Sequence, residues 1–184
     1  GVTTIVDHHA SPNAASGSLD AIERAALDAG IRACLCYETS DRDGVKISKA
    51  GIDENARYIR KKKEPLMTAL FGLHAPFTLS DETLHAVNEA RAKTGVHIHV
   101  SEAAADARIC VEKYGKTAMQ RLANAGLLDE NSLIGHGVHA TDEDLALLAR
   151  AGGTLVTNPE SNMGNAVGFL DADRTRKAGV RLAL

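Results

Sequence analysis

FGLHAPFTLSDETLHAVNEARAKTGVHIHVSE, residues 71–102, reads as strand, helix, strand. The helical part, 80–95, opens on Ser80 with acids at Asp81 and Glu82 and closes on Gly95. A hydroxyl before the first turn caps free amides, carboxylates there complement the helix dipole, and glycine suits a left-handed helix exit. The flanking runs are short and β-rich, and parallel neighbours need a return connection of this length. Outward from this unit the pattern recurs. Candidate strands fall at 2–6, 31–37, 66–73, 96–100, 132–135, 154–157 and 180–184. Between them lie SGSLDAIERAALDAG, KAGIDENARYIRKKK, ADARICVEKYGKTAMQRLANAG, TDEDLALLARAGG and GFLDADRTRKAG, each with helical periodicity.

Strand and helix alternating at roughly 30 residues per unit predict an α/β fold with a parallel sheet and helical crossovers. A (β/α)8 TIM-type barrel takes eight strands over about 250 residues and keeps its active site at the C-terminal strand ends. Seven candidate strands, the first and last at the chain ends, predict an incomplete barrel, lacking its first strand and the region after its last. The whole of 1–184 then forms a single partial barrel domain. The alternative is a doubly wound open sheet, which would carry a Gly-rich phosphate loop after its first strand. The loop there is DHHASPN. An unclosed barrel exposes two edges, GVTTIV and VRLAL, both apolar enough to recruit another chain, so a homo-oligomer is a possible partner state.

Composition narrows the function classes. Hydrophobic residues make up 44% and charged residues 24%, an ordinary globular balance. With 21 Lys plus Arg against 24 Asp plus Glu the net charge is −3, so no basic footprint exists for a nucleic-acid polymer. No apolar run approaches the roughly 18 residues that span a bilayer, and no signal segment opens the chain, which predicts no membrane partner and a cytoplasmic location. Cys34, Cys36 and Cys110 are odd in number and lack CxxC spacing, so they read as buried, reduced core thiols. The basic run at 60–63 reads as a solvated helix end.

The histidines stand out: 8 of them against 3 Tyr, 3 Phe and no Trp. His8 and His9 end the first run, His74 the third, His97 and His99 lie in the fourth, and His136 and His139 follow the fifth; only His85 sits inside a helix. Scattered core histidines have no reason to share one rim of a barrel. Converging imidazoles and carboxylates suit a zinc or iron centre. Strand alternation puts His97 and His99 on one face, with Ile98 and Val100 on the other. Glu102, three residues past His99, stands where a carboxylate can serve as general acid and base; its competing reading is a cap on the following helix. His136 should point into the site, while His139 helps the loop enter its helix. In TLVTNPESNMGN, Asn158, Ser161 and Asn162 are candidate substrate contacts, or else turn formers.

The segments GVTTIVDHHASPN, FGLHAPFTLSDETL, GVHIHVSE, LIGHGVHATDEDLALLARAGG and NPESNMGNAVG together resemble the metal-dependent amidohydrolase superfamily, in its deaminase and chlorohydrolase branch, with wording closest to the SsnA-type aminohydrolases. The resemblance implies a distorted (β/α)8 barrel with one divalent metal, zinc first and iron second. Family members hold that metal with an HxH pair on the first strand, a His on the fifth and an Asp on the eighth. Carried over, His99 is the metal ligand, Glu102 the acid/base, and His136 the histidine that orients the water or the leaving oxygen. His74 falls where related deaminases contact a heterocycle. The upstream HxH and the downstream Asp are missing from the 184 residues, as is the small β-sandwich of the family.

The function that follows is metal-assisted hydrolysis of a C–N bond in a small cyclic amidine or amide, a deamination, with the small molecule as partner. Chlorohydrolysis with the same machinery is the alternative. A non-catalytic barrel fragment without a complete metal site is the reading from a different class.

Overall fold

The computed structural model describes residues 1–61 and 63–184, so Lys62 of the basic run lies outside the described residues. The strands are β1 Thr4–Val6, β2 Arg32–Leu35, β3 Met67–Ala69, β4 Phe71–Leu73, β5 Val96–Val100, β6 Leu133–His136, β7 Thr154–Val156 and β8 Arg181–Ala183. The helices are α1 Ser18–Asp28, α2 Val45–Arg60, α3 Asp81–Ala90, α4 Ala104–Tyr114, α5 Ala118–Asn124, α6 Asp142–Ala151, α7 Pro159–Gly164 and α8 Ala172–Lys177, with a 3-10 turn at Pro76–Thr78. Every strand pair is parallel, in the orders β1-β2-β3 and β4-β5-β6-β7-β8. This is an α/β partial barrel whose outer members are β1 and β8.

Three details differ from the sequence reading. The run 66–73 is two strands, because the chain changes partners at Leu70: Leu70 N donates to Leu35 O at 3.2 Å, and Phe71 N to Gly95 O at 2.9 Å. The long segment 105–126 is two helices, parted at Gly115, whose φ of +63° ends α4. The loop NPESNMGN contains the short helix α7, started by Pro159 at its first turn.

The two sheets meet where β2 and β4 run on past their ladders, and there a side chain reinforces the one main-chain bridge, between Thr39 and Leu73. Asn55, fully buried on α2, accepts from Tyr37 N at 2.9 Å and from Gly72 N at 3.1 Å, and donates to Tyr37 O at 2.7 Å. A Cβ at position 72 would overlap the Tyr37 carbonyl, so only glycine lets the strands approach closely enough for one amide to span them.

Packing follows strand alternation. Val96, Ile98 and Val100 of β5 are buried against the helices, together with Ile134, Leu155, Leu84, Leu122 and Leu148, while His97 and His99 take the inner face. A second cluster under the smaller sheet joins Leu19, Ala26, Leu35, Tyr58 and Met67. Helix ends are tied across elements as well as locally. Ser80, Thr117 and Thr141 cap their own helices. Helix α1 starts on Gly17 and is capped from α2 instead, where buried Glu54 accepts from Gly17 N at 3.0 Å and Leu19 N at 3.1 Å. Lys63 closes the basic run by donating to the carbonyls of Tyr58 and Ile59 at the end of α2. No helix among the described residues is long and apolar enough to cross a membrane.

Asn55→Ala strips partners from several buried backbone groups at once, each costing about 1–3 kcal/mol. We expect a loss of about 3 kcal/mol or more in urea unfolding; a loss below about 1 kcal/mol would show that packing and the main-chain bonds of Thr39 hold the sheets together without the amide.

Candidate active site

The C-terminal strand ends gather five of the eight imidazoles, and His99 is their hub. Its ring centroid lies 4.5 Å from His8, 5.9 Å from His74, 6.2 Å from His97 and 5.5 Å from His136. His8 and His97 are 4.6 Å apart. The larger sheet delivers His74, His97, His99 and His136; the smaller delivers His8 and, beyond β2, Cys36 and Glu38.

Backbone carbonyls set the tautomers. His99 Nδ1 donates to His74 O at 2.8 Å, which leaves Nε2 as the free nitrogen. His8 Nε2 donates to Leu73 O at 3.1 Å, which leaves Nδ1, 3.6 Å from a Glu38 oxygen. His136 Nδ1 donates to Asn162 Oδ1 at 2.7 Å, so its Nε2 faces Glu102 Oε2, 3.5 Å away, as acceptor against acceptor. A proton or a bridging donor between the two satisfies both. Glu102 Oε1 accepts from Asn165 Nδ2 at 2.9 Å.

The backbone is strained at this point. His136 has φ +68° and Ser101 φ +49°, both in the left-handed region that side-chain-bearing residues rarely adopt. These kinks end β6 and β5 and turn the chain so that His136 and Glu102 face each other; such strain concentrates at functional sites.

Burial sets the charge state. Desolvation lowers the pKa of His8 and of His99 to about 4 and of His97 to about 3, and it also lowers that of His74. Neighbouring imidazoles oppose a second charge in the same space. His8, His97 and His99 therefore present neutral nitrogen donors. One ligand atom each from His8, Glu38 and His99 lie within 4.8 Å of one another, and so do those of His8, Cys36 and His97.

Of the residues singled out in the sequence, His99, Glu102, His136, His74 and Asn162 come together. Glu102 does not cap α4: Asp106 does, accepting from Ala103 N at 3.0 Å. His74 has two parts to play, since its carbonyl orients His99 while its own Nδ1 donates to Thr78 Oγ1 at 2.9 Å. Asn158 is half-buried and Ser161 exposed, and neither side chain makes a hydrogen bond among the described residues. His9 and His139 fasten loops, donating to Ser11 Oγ and to Val167 O. His85 lies on the outer helix layer beside Glu89.

Three corrections follow. Cys36 is buried, but on the inner face, with its sulfur 3.6 Å from His97 Nδ1; alternation carries residues 34 and 36 inward, away from the helix-side core. Glu38 went unnoticed, although two steps beyond Cys36 it continues that inward alternation. Asn165 was passed over because nothing local in NMGN distinguishes a side chain that reaches back to Glu102.

Imidazoles and carboxylates thus collect at the C-terminal ends of parallel strands, the rim at which barrel folds place their sites. The chain belongs to the amidohydrolase family, which it matches over residues 1–184. It is 33% identical, over its whole length, to a 5-methylthioadenosine/S-adenosylhomocysteine deaminase of Thermococcus sibiricus, of which it covers 43%. Its fold matches an adenosine deaminase from Xanthomonas campestris with bound zinc at a TM-score of 0.84 and 26% identity, covering 100% of this chain and 41% of that one. It matches the zinc complex of an atrazine chlorohydrolase from Arthrobacter aurescens at 0.83 and 22%, covering 99% and 44%, a likeness of fold alone. The chain thus spans about two fifths of the curated relative.

The depressed histidine pKa values carry a stability consequence. In the unfolded chain these imidazoles bind protons below about pH 6.5, while in the folded chain they resist until about pH 4. Stability in the presence of chelator should therefore be complete above about pH 6.5 and fall steadily toward about pH 4. Urea unfolding that stays flat across this window would mean that the cluster is open to water.

Proposed function

We propose that the chain carries the reacting site of an aminohydrolase, which replaces the exocyclic amine of a small cyclic amidine with oxygen and releases ammonia. The observation that carries this reading is Glu102 facing His136 Nε2 at 3.5 Å, beside the free nitrogen of His99. Glu102 takes a proton from the attacking water and returns it to the departing amine. His136, held by Asn162, steadies the oxygen on which charge develops. His74, through its free nitrogen, contacts the ring, and Asn158, Ser161 and Asn162 line the substrate side.

The donor set fits a divalent metal: neutral imidazoles, one with its second nitrogen fixed on a carbonyl, next to carboxylates. His99 would hold it, and zinc is favoured over iron by the nitrogen and oxygen donors and by the zinc-bound relative. When bound, such an ion supplies Lewis acidity that brings the pKa of water toward neutrality. Deamination is favoured over chlorohydrolysis because a relative at 33% identity is named a deaminase, whereas the chlorohydrolase likeness is one of fold. The adenine ring in the names of the relatives is itself a cyclic amidine. We assign the activity to one barrel domain of a cytoplasmic enzyme, with a small molecule as its partner.

In the active enzyme, Glu102→Gln keeps the shape but cannot shuttle a proton, so ammonia release should fall by at least about a hundredfold with metal content unchanged. His99→Ala should lose the metal. Near-normal turnover in Glu102→Gln would remove Glu102 from the chemistry.

A further inference from the structure

We infer that helix α7 positions the proton-handling pair, with two asparagines in opposite roles. Asn162 accepts from His136 and fixes its tautomer, while Asn165 donates to Glu102 and fixes which carboxylate oxygen faces His136. These roles rest on the reading of Glu102 and His136 as the proton-handling pair of an aminohydrolase.

Of the six residues of α7, Asn162 alone is buried, so what the helix packs inward is an amide. Asn165 follows as the C-cap, three residues on and therefore on the same side. The end of the helix is closed by two bonds: Val167 N donates to Asn162 O at 3.0 Å and Ala166 N to Met163 O at 3.1 Å, the pair that marks a left-handed helix stop. Ala166 makes that turn at φ +52°, where glycine is the usual residue. His139 Nε2 then donates to Val167 O at 2.9 Å, which ties the stop to the loop after His136. The support is thereby fastened to the end of β6, the strand that carries His136.

The two side-chain bonds have opposite polarity. His136 Nδ1 lies 2.7 Å from Asn162 Oδ1, which puts the ring hydrogen on Nδ1. A reversed amide would present Nδ2 there, move the hydrogen to Nε2 and commit it to Glu102. Nε2 and Oε2 stand 3.5 Å apart, longer than a direct N–H···O bond, which fits a bare Nε2. Asn162 Nδ2 is buried without a partner among the described residues, so the amide is held through its oxygen. Asn165 Nδ2, at 2.9 Å from Oε1, supplies the one hydrogen bond that the Glu102 carboxylate accepts among the described residues. With Oε1 engaged, Oε2 stays bare toward Nε2, and a water or a departing amine between them meets two acceptors.

Long-range proton–nitrogen NMR spectra of the active enzyme, labelled in its histidine ring nitrogens, read the tautomer of His136 at about pH 8, where ordinary imidazoles are neutral. His136→Gln assigns the signals. We expect hydrogen on Nδ1 in the unsubstituted enzyme and in Asn162→Asp, whose carboxylate can only accept, and a shift of about fivefold or more toward Nε2–H in Asn162→Ala. At the second asparagine, Asn165→Ala should lower kcat for ammonia release about tenfold, and Asn165→Asp further, because an acceptor then faces Glu102; KM should stay within about threefold in both. Circular dichroism confirms folding, and if Asn162→Ala does not fold, the other two spectra decide. Hydrogen on Nε2 in the unsubstituted enzyme, or a ratio unmoved in Asn162→Ala, overturns the role of Asn162. A raised KM with unchanged kcat in the Asn165 variants, or full activity in Asn165→Asp, overturns that of Asn165. Either result leaves the function reading standing, which fails separately if Glu102→Gln keeps near-normal turnover.

Discussion

The buried amide of Asn55 is the constraint on which the rest of the molecule depends. Backbone ladders hold strands together inside each sheet, but the ladder stops where the chain passes from one sheet to the other at Leu70. Asn55 takes over for the Tyr37 and Gly72 backbones, supplying donor and acceptor in one rigid group. From there the connection continues through main chain: Thr39 N donates to Gly72 O, and His74 N donates to Thr39 O. The next atoms along this path are the carbonyls of Leu73 and His74 that orient His8 and His99. The aim of two imidazoles is thus fixed by an asparagine on the far side of the strands.

A cluster of five imidazoles in a barrel interior is an expensive thing to build. Water is largely excluded, each ring loses hydration, and protonation of one penalises the next. Neutral rings satisfied by carbonyls meet this cost halfway, since each needs only one donor bond and keeps one nitrogen bare. The left-handed turn at His136 adds strain of order 1–3 kcal/mol. A fold that only had to be stable would put aliphatic side chains there, as it does on the opposite face of β5.

The sequence was most legible where a period repeats. Strand alternation placed His97 and His99 on the inner face and Val96, Ile98 and Val100 on the outer, and the histidines at strand ends marked the rim. The cap residues Ser80 and Thr141 read correctly because capping is local. What escaped depends on contacts between distant residues. Nothing in KAGIDENARYIR separates Asn55 from a solvent-facing asparagine, nor Glu54 from an ordinary helix acid, until the elements they reach are in place. Asn165 was missed for the same reason, since it acts 63 residues away. Helix α7 was read as loop because six residues holding Pro, Ser, Asn and Gly have turn composition, and it is packing that makes them helical.

The site draws on both sheets, and that bears on how it can work. His99 and His136 sit on the neighbouring strands β5 and β6, whose parallel register sets Val100 opposite His136, and Glu102 follows two residues past the end of β5. His8 and Glu38 arrive on the other side of the parting between the sheets, through β1 and β2. A proton-handling pair on one sheet and part of a donor set on the other can keep their separation only if the parting does not open. Local unfolding begins where a ladder is interrupted and buried contacts are few. The carbonyl of Leu73 orients an imidazole from across this weak point, so any opening of the parting releases the tautomer of His8, whereas His99, bonded to His74 within the larger sheet, keeps its own.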